Sequence, residues 1–309
     1  MEMFFGRIGT RFLFVTVLPQ LLFCAYVGLL LAAGAPTRPP SLKAATHFLN
    51  TMTWREMVFV LLGVVAVAVA LHPAQYPLIQ LLEGYWAEVP LGPVLSRWAL
   101  RRRVAEHTRV RRLYNAPAAA SAEERHLRWW ADTRMAWLPV DPNDLLPTTL
   151  GNTLRIGEIR AASRYGMDVG VVMPRLFAVM GPEVRDQLNG RRNQLDAAAR
   201  MCALCLVATM VSVPLLLPQG TWLFLPLVTL GAAWLCYRAA IAAARAYCVQ
   251  MATAVDLHHR DLWCALGLPV PPDLADERTR AEEICDFLSG EPIGPSQARA
   301  IRWASTPPP

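Results

Sequence analysis

The feature that most constrains this chain is a run of 37 consecutive uncharged residues between Arg200 and Arg238. A Pro-Gln-Gly segment at 218–220 interrupts the run once. A single bilayer crossing needs about 20 apolar residues, so the run is too long for one crossing and fits two short crossings joined by a tight turn. The pattern therefore predicts two adjacent membrane spans, at about 201–217 and 221–240.

Two further uncharged stretches lie upstream, at 12–37 and 57–82. The first follows Arg7 and Arg11 and resembles a signal peptide, but its apolar part exceeds the usual ~7–15 residues. It is therefore predicted to remain as an uncleaved helix, with a span at about 12–34. The four stretches together predict an all-α membrane protein with four transmembrane helices. A helical cytosolic insertion is expected between helices 2 and 3, and a helical tail at the C-terminus.

The composition narrows the chemistry that the chain can perform. With 54% hydrophobic and 17% charged residues, it fits a protein that is part membrane and part cytosol. Lys43 is the single lysine beside 29 arginines, so P-loop, kinase and pyridoxal phosphate chemistry would lack their lysine. The seven cysteines are dispersed, so no disulfide framework is expected. No cofactor is predicted.

The arginines indicate how the spans are oriented. Segment 88–200 carries 18 arginines and 12 acidic residues, whereas segment 38–56 carries only three basic residues. Because positive loops stay on the cytoplasmic side, segment 88–200 and both termini are predicted to lie in the cytosol of a bacterium, at its inner membrane. The predicted divisions are an N-terminal hairpin at 1–87, the insertion at 88–200, a second hairpin at 201–245, C-terminal helices at 246–290 and a disordered tail at 291–309.

The insertion is predicted to start with a basic helix, Arg97–Tyr114, in which Leu100, Val104 and Leu113 lie near one face. Three interpretations compete for its arginines: a solvated surface, a contact with anionic lipids of the inner leaflet through Arg97–Arg112, and, as the weakest, a nucleic-acid surface. The lipid contact is kept as a partner prediction and nucleic acid is not.

Other segments carry local signals. Trp129, Trp130 and Trp137 are expected in a core or an interface. From Arg238 onward the net charge is −2, against +6 for 88–200, so the tail is predicted to pack on the basic region. The remaining local predictions are a capping box at Ser121 and Glu124, a helix 148–165 stopped by Gly166, an undecided strand or helix at 167–172, a helix from Pro182 into the third span, and a helix capped by Asp273 that ends near Leu288.

Three groups of polar residues are candidate sites. Gln20, His72 and Gln75 lie at similar depth in the first two spans, where they would form a structural hydrogen bond, line a water-filled path or relay protons through His72. Asp256 and His259, and likewise His258 and Asp261, are three residues apart on a helix. These four residues predict either salt bridges or a weak metal site.

The third group consists of Asn152, Arg155, Glu158 and Arg175. The first three follow one another at intervals of three residues, which places them on one stripe of a helix. This stripe predicts a subunit or subdomain contact, with anion binding by Arg155 and Arg175 as the alternative.

Several strings resemble a family of uncharacterised actinobacterial multi-spanning membrane proteins. The strings are Leu82-Glu83-Gly84-Tyr85-Trp86, Leu150-Gly151-Asn152 with Leu154-Arg155 and Glu158, Arg164-Tyr165-Gly166 with Asp168, Pro174-Arg175-Leu176, and Asp256-Leu257-His258 with Asp261-Leu262. The resemblance implies topology and no catalytic activity. Met173 stands where the family pattern has Trp, so that aromatic position is not retained. A looser, architectural similarity is to bestrophin-type channels, which also have four spans and a long cytosolic helical insertion.

These observations support three hypotheses of function. The first is an oligomeric pore or channel-like protein with an arginine-rich cytosolic vestibule that favours anions. The second is a membrane-anchored scaffold that binds a cytosolic partner. The third is a metal-dependent membrane enzyme, but the sequence contains no HExxH, Cys/His quartet or GxSxG motif, so a non-enzymatic protein is favoured.

Overall fold

A computed structural model describes residues 18–71, 75–86, 92–116 and 121–290. The described residues form helices joined by turns and short 3₁₀ segments, and they include no strand, which confirms the all-α prediction. The helices are α1 (Leu18–Ala32), α2 (Leu42–Thr51), α3 (Trp54–Leu71), α4 (Gln75–Glu83), α5 (Gly92–Tyr114), α6 (Ala122–Met135), α7 (Thr149–Ala162), α8 (Val169–Val179), α9 (Pro182–Leu216), α10 (Phe224–Ala265) and α11 (Leu274–Ser289).

The chain divides into two compact units. Unit 1 comprises residues 1–85 and 193–241, and unit 2 comprises residues 86–192 and 242–309. Helices α9 and α10 each contribute one part to unit 1 and the other part to unit 2.

The helix predicted to run from Pro182 into the third apolar stretch is confirmed as α9, and α10 continues past Arg238 and Arg245 to Ala265. Between them the backbone turns at Gly220, whose φ of +25° suits a residue without Cβ. Among the described residues, one helical stretch, Pro182–Ala265, is long and apolar enough to cross a membrane by length and composition. Its most apolar window has a mean hydropathy of 2.2 and is 33% buried.

Unit 1 buries few side chains and exposes many apolar ones. Its described apolar cluster is centred on Leu30, Ala35 and Leu216. Two of its hydroxyl groups bond each other, since the Thr209 and Thr229 Oγ1 atoms are 2.7 Å apart, and the fully buried Ser212 hydroxyl donates to the Thr209 carbonyl at 3.2 Å. The apolar side chains that it exposes come from several of its helices, including Leu22, Leu29, Phe59, Leu61, Leu62, Met210, Leu217, Leu227, Val228 and Leu235.

Unit 2 has a core of its own. Helices α7, α8 and α11 pack with the unit 2 parts of α9 and α10, and they bury Leu176, Met180, Leu188, Val255 and Trp263 among others. The packing is close because Gly157 of α7 faces Cys248 of α10, whose Sγ and Cβ atoms occupy the space that a Cβ at position 157 would need. The core of unit 2 is therefore closely packed, as in the interior of a globular domain.

Helices α5 and α6 form a pair within unit 2, with a small core around Val110, Ala131, Leu138 and Leu145. Leu100 and Leu113 also pack on this core. The part of the predicted apolar stripe that packs on this core is therefore Leu100 and Leu113. Val104 lies about 180° around the helix from Leu113 and is 41% exposed, so the prediction of one common face is wrong for it.

The tryptophans differ from one another. Trp129 is 63% exposed and Trp130 is 38% exposed, so of the two predicted roles a core position is excluded for Trp129, and a position in an interface stays a prediction. Trp137 is partly buried, and the Arg245 guanidinium lies 5.3 Å from its ring centroid. Helical periodicity marks aromatic residues on a face, but it does not say what covers that face.

The helix ends follow the local signals. Ser121 and Glu124 form the predicted capping box, and Gly166 stops its helix with a φ of +69°. The undecided segment after Gly166 is helical, because Asp168 caps α8 by accepting a hydrogen bond of 2.7 Å from the Gly170 amide. Asp273 caps α11 as predicted. The tail predicted to be disordered lies outside the described residues.

Helix α11 packs on α8 and on the 3₁₀ segment Ser163–Tyr165. Both lie within the 88–200 segment, as the opposite net charges of the two regions predicted. The contact has an apolar centre, because Ala281, Ile284 and Cys285 enter the core, and hydrogen bonds from Arg175 and Arg278 to backbone carbonyls lie beside it.

Candidate functional site

The described part of unit 2 contains two cavities that share Glu158, Val169 and Gly170. Helix α7 positions Glu158: Thr148 caps its first turn, accepting a hydrogen bond of 3.0 Å from the Gly151 amide. Gly157 packs closely against Cys248 of α10, and this contact holds the next residue of α7, Glu158, beside the two cavities.

The larger cavity has a volume of about 540 Å³. Its acidic lining comes from two helices and a cap: Glu158 of α7, Glu282 and Asp286 of α11, and the α8 cap Asp168. Arg155 is the one basic residue among the described lining residues. Because opposite charges attract across short distances, this lining favours a positively charged group.

The smaller cavity has a volume of about 310 Å³ and is mostly apolar. Its apolar wall includes Met173, Phe177, Leu188 and Met251, while its polar lining residues are Glu158, Asn189, Arg192 and Tyr247. Volumes of this size, with few polar groups on an apolar wall, are typical of small-ligand pockets and of sockets for a single side chain.

Glu158 is the ionisable side chain that lines both cavities. Burial of its carboxyl raises its pKa, the neighbouring Asp168 adds to that effect, and Arg155 opposes it. A cationic ligand would lower that pKa again by favouring the charged form. Nearby, burial raises the pKa of the Cys248 thiol to about 12, which keeps this group from acting as a nucleophile at neutral pH.

The structure divides the group predicted at residues 152–175. Arg155 and Glu158 both line the larger cavity. Asn152 instead braces the preceding loop: its Oδ1 accepts from the Leu146 amide at 2.7 Å, and its Nδ2 donates to the Leu146 and Thr148 carbonyls at 2.8 Å each. Its role is to hold the chain that enters α7.

Arg175 is also used in the fold, since its guanidinium donates to the Val171 carbonyl at 2.5 Å and to the Leu288 carbonyl at 3.0 Å. It thus satisfies a carbonyl at the C-terminal end of α11, where a positive charge is favoured by the helix dipole. Arg155 lines the larger cavity and Arg175 does not, and anion binding by these two residues stays a prediction.

The four residues at 256–261 are divided in a similar way. Asp256 accepts a hydrogen bond of 2.9 Å from the Tyr165 hydroxyl and lies 3.3 Å from the Arg164 guanidinium. The predicted pairing of His258 with Asp261 is present at 2.8 Å.

His259 does not pair with Asp256 as the spacing predicted. Its Nδ1 lies 2.7 Å from Glu277 of α11, which also accepts a hydrogen bond of 3.1 Å from Trp263 Nε1. The Tyr165 ring stacks on the imidazole at 4.1 Å between centroids. Within the described ranges, no group of three or more His, Cys, Asp or Glu side chains is placed to hold a metal ion.

The first predicted group, which consists of Gln20, His72 and Gln75, lies partly outside the described residues. Gln20 is in α1 and is only 2% exposed. His72 lies outside the described residues, as does the side chain of Gln75, whose backbone begins α4. The meeting of these residues at one depth stays a prediction.

The sequence did not single out Glu282 and Asp286. They are part of an acidic α11 whose charged face gives no local sign of what it packs against. Their separation of four residues places them on one helix face, which was the one signal available.

Comparisons of the chain with known protein families, curated proteins and solved structures give no match.

Proposed function

We propose that this chain is a multi-pass bacterial inner-membrane protein whose helical cytosolic unit binds a partner and carries out no chemistry of its own. In this proposal the four apolar stretches cross the bilayer, and unit 2 lies in the cytosol with both termini. The single observation that carries it is the contrast between unit 1, whose large apolar side chains face outward, and unit 2, which encloses an apolar core and carries two partly open cavities.

The exposed side chains of unit 1 support the membrane part of the proposal. Large apolar residues such as Phe59 (73% exposed) and Met210 (70% exposed) are costly in water and favourable in lipid. The bonding of Thr209 to Thr229 also fits a lipid environment, where polar groups need partners inside the protein.

The topology has a direct test, because Lys43 is the chain's only lysine and is exposed on α2. An amine-reactive reagent that cannot cross membranes is applied to intact cells and, separately, to opened cells. We expect Lys43 to be modified in both samples, as read by peptide mass spectrometry. Modification only after the cells are opened would place segment 38–56 inside and overturn the topology.

The larger cavity supports the binding part of the proposal. Four carboxylates beside one arginine suit a lysine or arginine side chain of a cytosolic partner protein. Such a cation would gain from Glu282 and Asp286, which lie one turn apart on α11. The partner is therefore expected to present a basic segment.

The binding test uses tagged full-length protein and the double variant Glu282→Gln/Asp286→Asn. The matched control is Glu123→Gln/Asp132→Asn, which removes two exposed charges from α6. We expect a stoichiometric partner whose retention falls about tenfold with the cavity variant, equivalent to about 1.4 kcal/mol, and stays unchanged with the control. Equal retention by both variants, or a partner held through an acidic segment, would overturn the proposed site.

An oligomeric channel is the second candidate, and the burial of Gln20 in an apolar helix favours it. Variants Gln20→Ala and His72→Ala separate the candidates, because partner retention survives both changes if the protein is a scaffold. The mass of the detergent-solubilised complex is the complementary measurement: a ring-sized assembly supports the channel, and a monomer removes it. The divided roles of residues 256–261 give the metal-dependent enzyme no support.

A further inference from the structure

Helix α5 has two distinct faces. The face packed within unit 2 includes Ala99, His107 and Val110, all of which are buried. On the opposite face, the first two turns present Val94, Leu95 and Trp98, which are 57%, 53% and 59% exposed. These three side chains form an apolar patch, and it is not the apolar stripe that packs on α6.

The same outer face becomes basic farther along the helix. With 100° between successive residues, Arg101, Arg102, Arg109 and Arg112 fall within the arc of about 120° that holds the apolar patch. All four arginines are exposed. The Arg102 guanidinium also lies 4.8 Å from the centroid of the Trp98 ring, so the apolar and basic parts are in contact.

The acidic residue of α5 forms ion pairs with two arginines and does not contribute to the outer face. Glu106 is the one acidic residue in Gly92–Tyr114, and it bonds Arg103 at 2.7 Å and Arg134 of α6 at 2.6 Å. The outer face therefore carries aliphatic, aromatic and arginine side chains without a carboxylate. Its positive charge favours an anionic partner. Its apolar patch favours a partner that has an apolar layer beneath its own anionic surface.

We propose that the outer face of α5 lies on the surface of an anionic bilayer. Val94, Leu95 and Trp98 enter the boundary between headgroups and acyl chains, and the four arginines bind lipid phosphates. Helix α5 begins nine residues after Glu83, at the end of the second predicted span, so the lipid surface is the nearest anionic surface along the chain. The inference rests on the proposed topology, because the negative surface potential is that of the cytoplasmic leaflet.

A nucleic acid would satisfy the arginines equally well, but it offers no apolar layer for Val94 and Leu95. An acidic protein surface would likewise leave the patch exposed unless it carried a matching groove. The bilayer interface matches both halves of the face, and tryptophan is the residue that such interfaces favour.

The experiment places a photo-crosslinking benzoylphenylalanine at position 98 of the full-length protein. The protein is reconstituted in nanodiscs of pure phosphatidylcholine or with about 30% phosphatidylglycerol. The control carries the same group at position 129, which is similarly exposed but lies on α6. Mass spectrometry identifies whether the adduct is lipid or protein.

We expect lipid adducts at position 98, with a yield about fivefold higher in the anionic nanodiscs, and little lipid adduct at position 129. The variant Arg101→Gln/Arg102→Gln/Arg109→Gln/Arg112→Gln should lose this dependence while keeping the wild-type melting temperature, because all four side chains are exposed. A yield that does not depend on anionic lipid, or adducts to protein at position 98, would overturn the inference, as would nucleic-acid adducts in cells.

The outcome is separable from that of the proposed function. Nanodiscs expose both bilayer faces, so a failure to crosslink there refutes the docking of α5 whatever the topology is. Conversely, labelling of Lys43 only from the inside refutes the topology even if position 98 contacts lipid.

Discussion

The two units of this protein use the same kinds of side chain in opposite ways. In unit 1, large apolar residues such as Leu227 (66% exposed) face outward, whereas buried Gln20 and Ser212 are polar. In unit 2, apolar residues such as Leu176 and Val255 are fully enclosed, and most arginines and carboxylates are at the surface or around cavities, while the buried Glu277 is hydrogen-bonded. The contrast is what an apolar solvent around one unit and water around the other would produce.

The comparison also concerns what holds each unit together. Unit 2 in water would gain from removing apolar surface from the solvent, and close packing and buried hydrogen bonds would then determine its geometry. Unit 1 in lipid would gain nothing from that effect, so helix contacts and hydrogen bonds between hydroxyl groups would have to suffice. Substitutions in the two units should therefore differ in cost, and four of them test this.

The largest effect is expected from Gly157→Leu in unit 2. The new side chain would occupy the space held by Cys248 and force α7 away from α10, at a cost of about 3 kcal/mol. Chemical denaturation of the purified protein in detergent, followed by near-ultraviolet circular dichroism, measures the loss. In the control Gly190→Ala, the new methyl group meets open space in α9 and should stabilise the helix by about 0.5–1 kcal/mol. Tolerance of leucine at position 157 would show that unit 2 is not closely packed there.

The second effect concerns the buried carboxylate that joins α11 to α10. Glu277→Ala removes the acceptor used by His259 and Trp263, and we expect a loss of about 2 kcal/mol in the free energy of unfolding. Glu277→Gln keeps one acceptor and should cost about half as much. If Glu277→Ala lowers the free energy of unfolding no more than Glu123→Ala, which removes an exposed carboxylate, the buried hydrogen bonds of Glu277 contribute no net stability.

The third effect depends on pH. Burial of Glu106 acts to raise its pKa, but hydrogen bonds and charges from Arg134 and Arg103 outweigh burial and hold the pKa below its ordinary value of 4.5. A depressed pKa in the folded state means that the carboxylate stabilises the fold above pH 4.5, and that this contribution is lost as the pH falls through the folded pKa.

Glu106→Gln should therefore cost about 1–2 kcal/mol at neutral pH, with the difference from the wild type shrinking steadily in acid. Urea denaturation at a series of pH values measures it. A difference that is constant from pH 7 to pH 3 would mean that the ion pairs with Arg103 and Arg134 contribute no net stability.

The smallest effect is expected in unit 1. A double-mutant cycle of Thr209→Val and Thr229→Val isolates the bond between the two hydroxyl groups, and its coupling should be about 0.6 kcal/mol in a bilayer. Unfolding in mixed micelles of increasing detergent strength provides the measurement. A coupling as large as that of the Glu277 bonds would erase the energetic difference between the units.

Local signals predicted much of the helical framework. The capping box at Ser121, the cap at Asp273, the proline that begins α9 and the stop at Gly166 depend on residues within one helical turn, so the sequence alone contains them. The segment after Gly166 was undecided because a short apolar run fits either a strand or a helix. Asp168 decided it, through a bond to the Gly170 amide that periodicity does not reveal.

The candidate site was less predictable, because its members come together through packing. Arg155 and Glu158 were found from their spacing, whereas Glu282 and Asp286 join them from more than 100 residues away. His259 shows the same limit: spacing offered it Asp256, but α11 brings Glu277 to the imidazole. When a side chain has two candidate partners, tertiary contacts select between them, and sequence spacing reveals only the partner on the same helix.

The approach of α7 to α10 at Gly157 has a practical consequence for the thiol that it covers. With a pKa of about 12, Cys248 has almost no thiolate at neutral pH, and its Sγ donates toward the Thr153 carbonyl at 3.7 Å. An alkylating reagent can reach it only while the two helices are apart. The rate of Cys248 alkylation, measured by mass spectrometry, therefore reports how often α7 and α10 separate in the native protein, and the measurement needs no mutation.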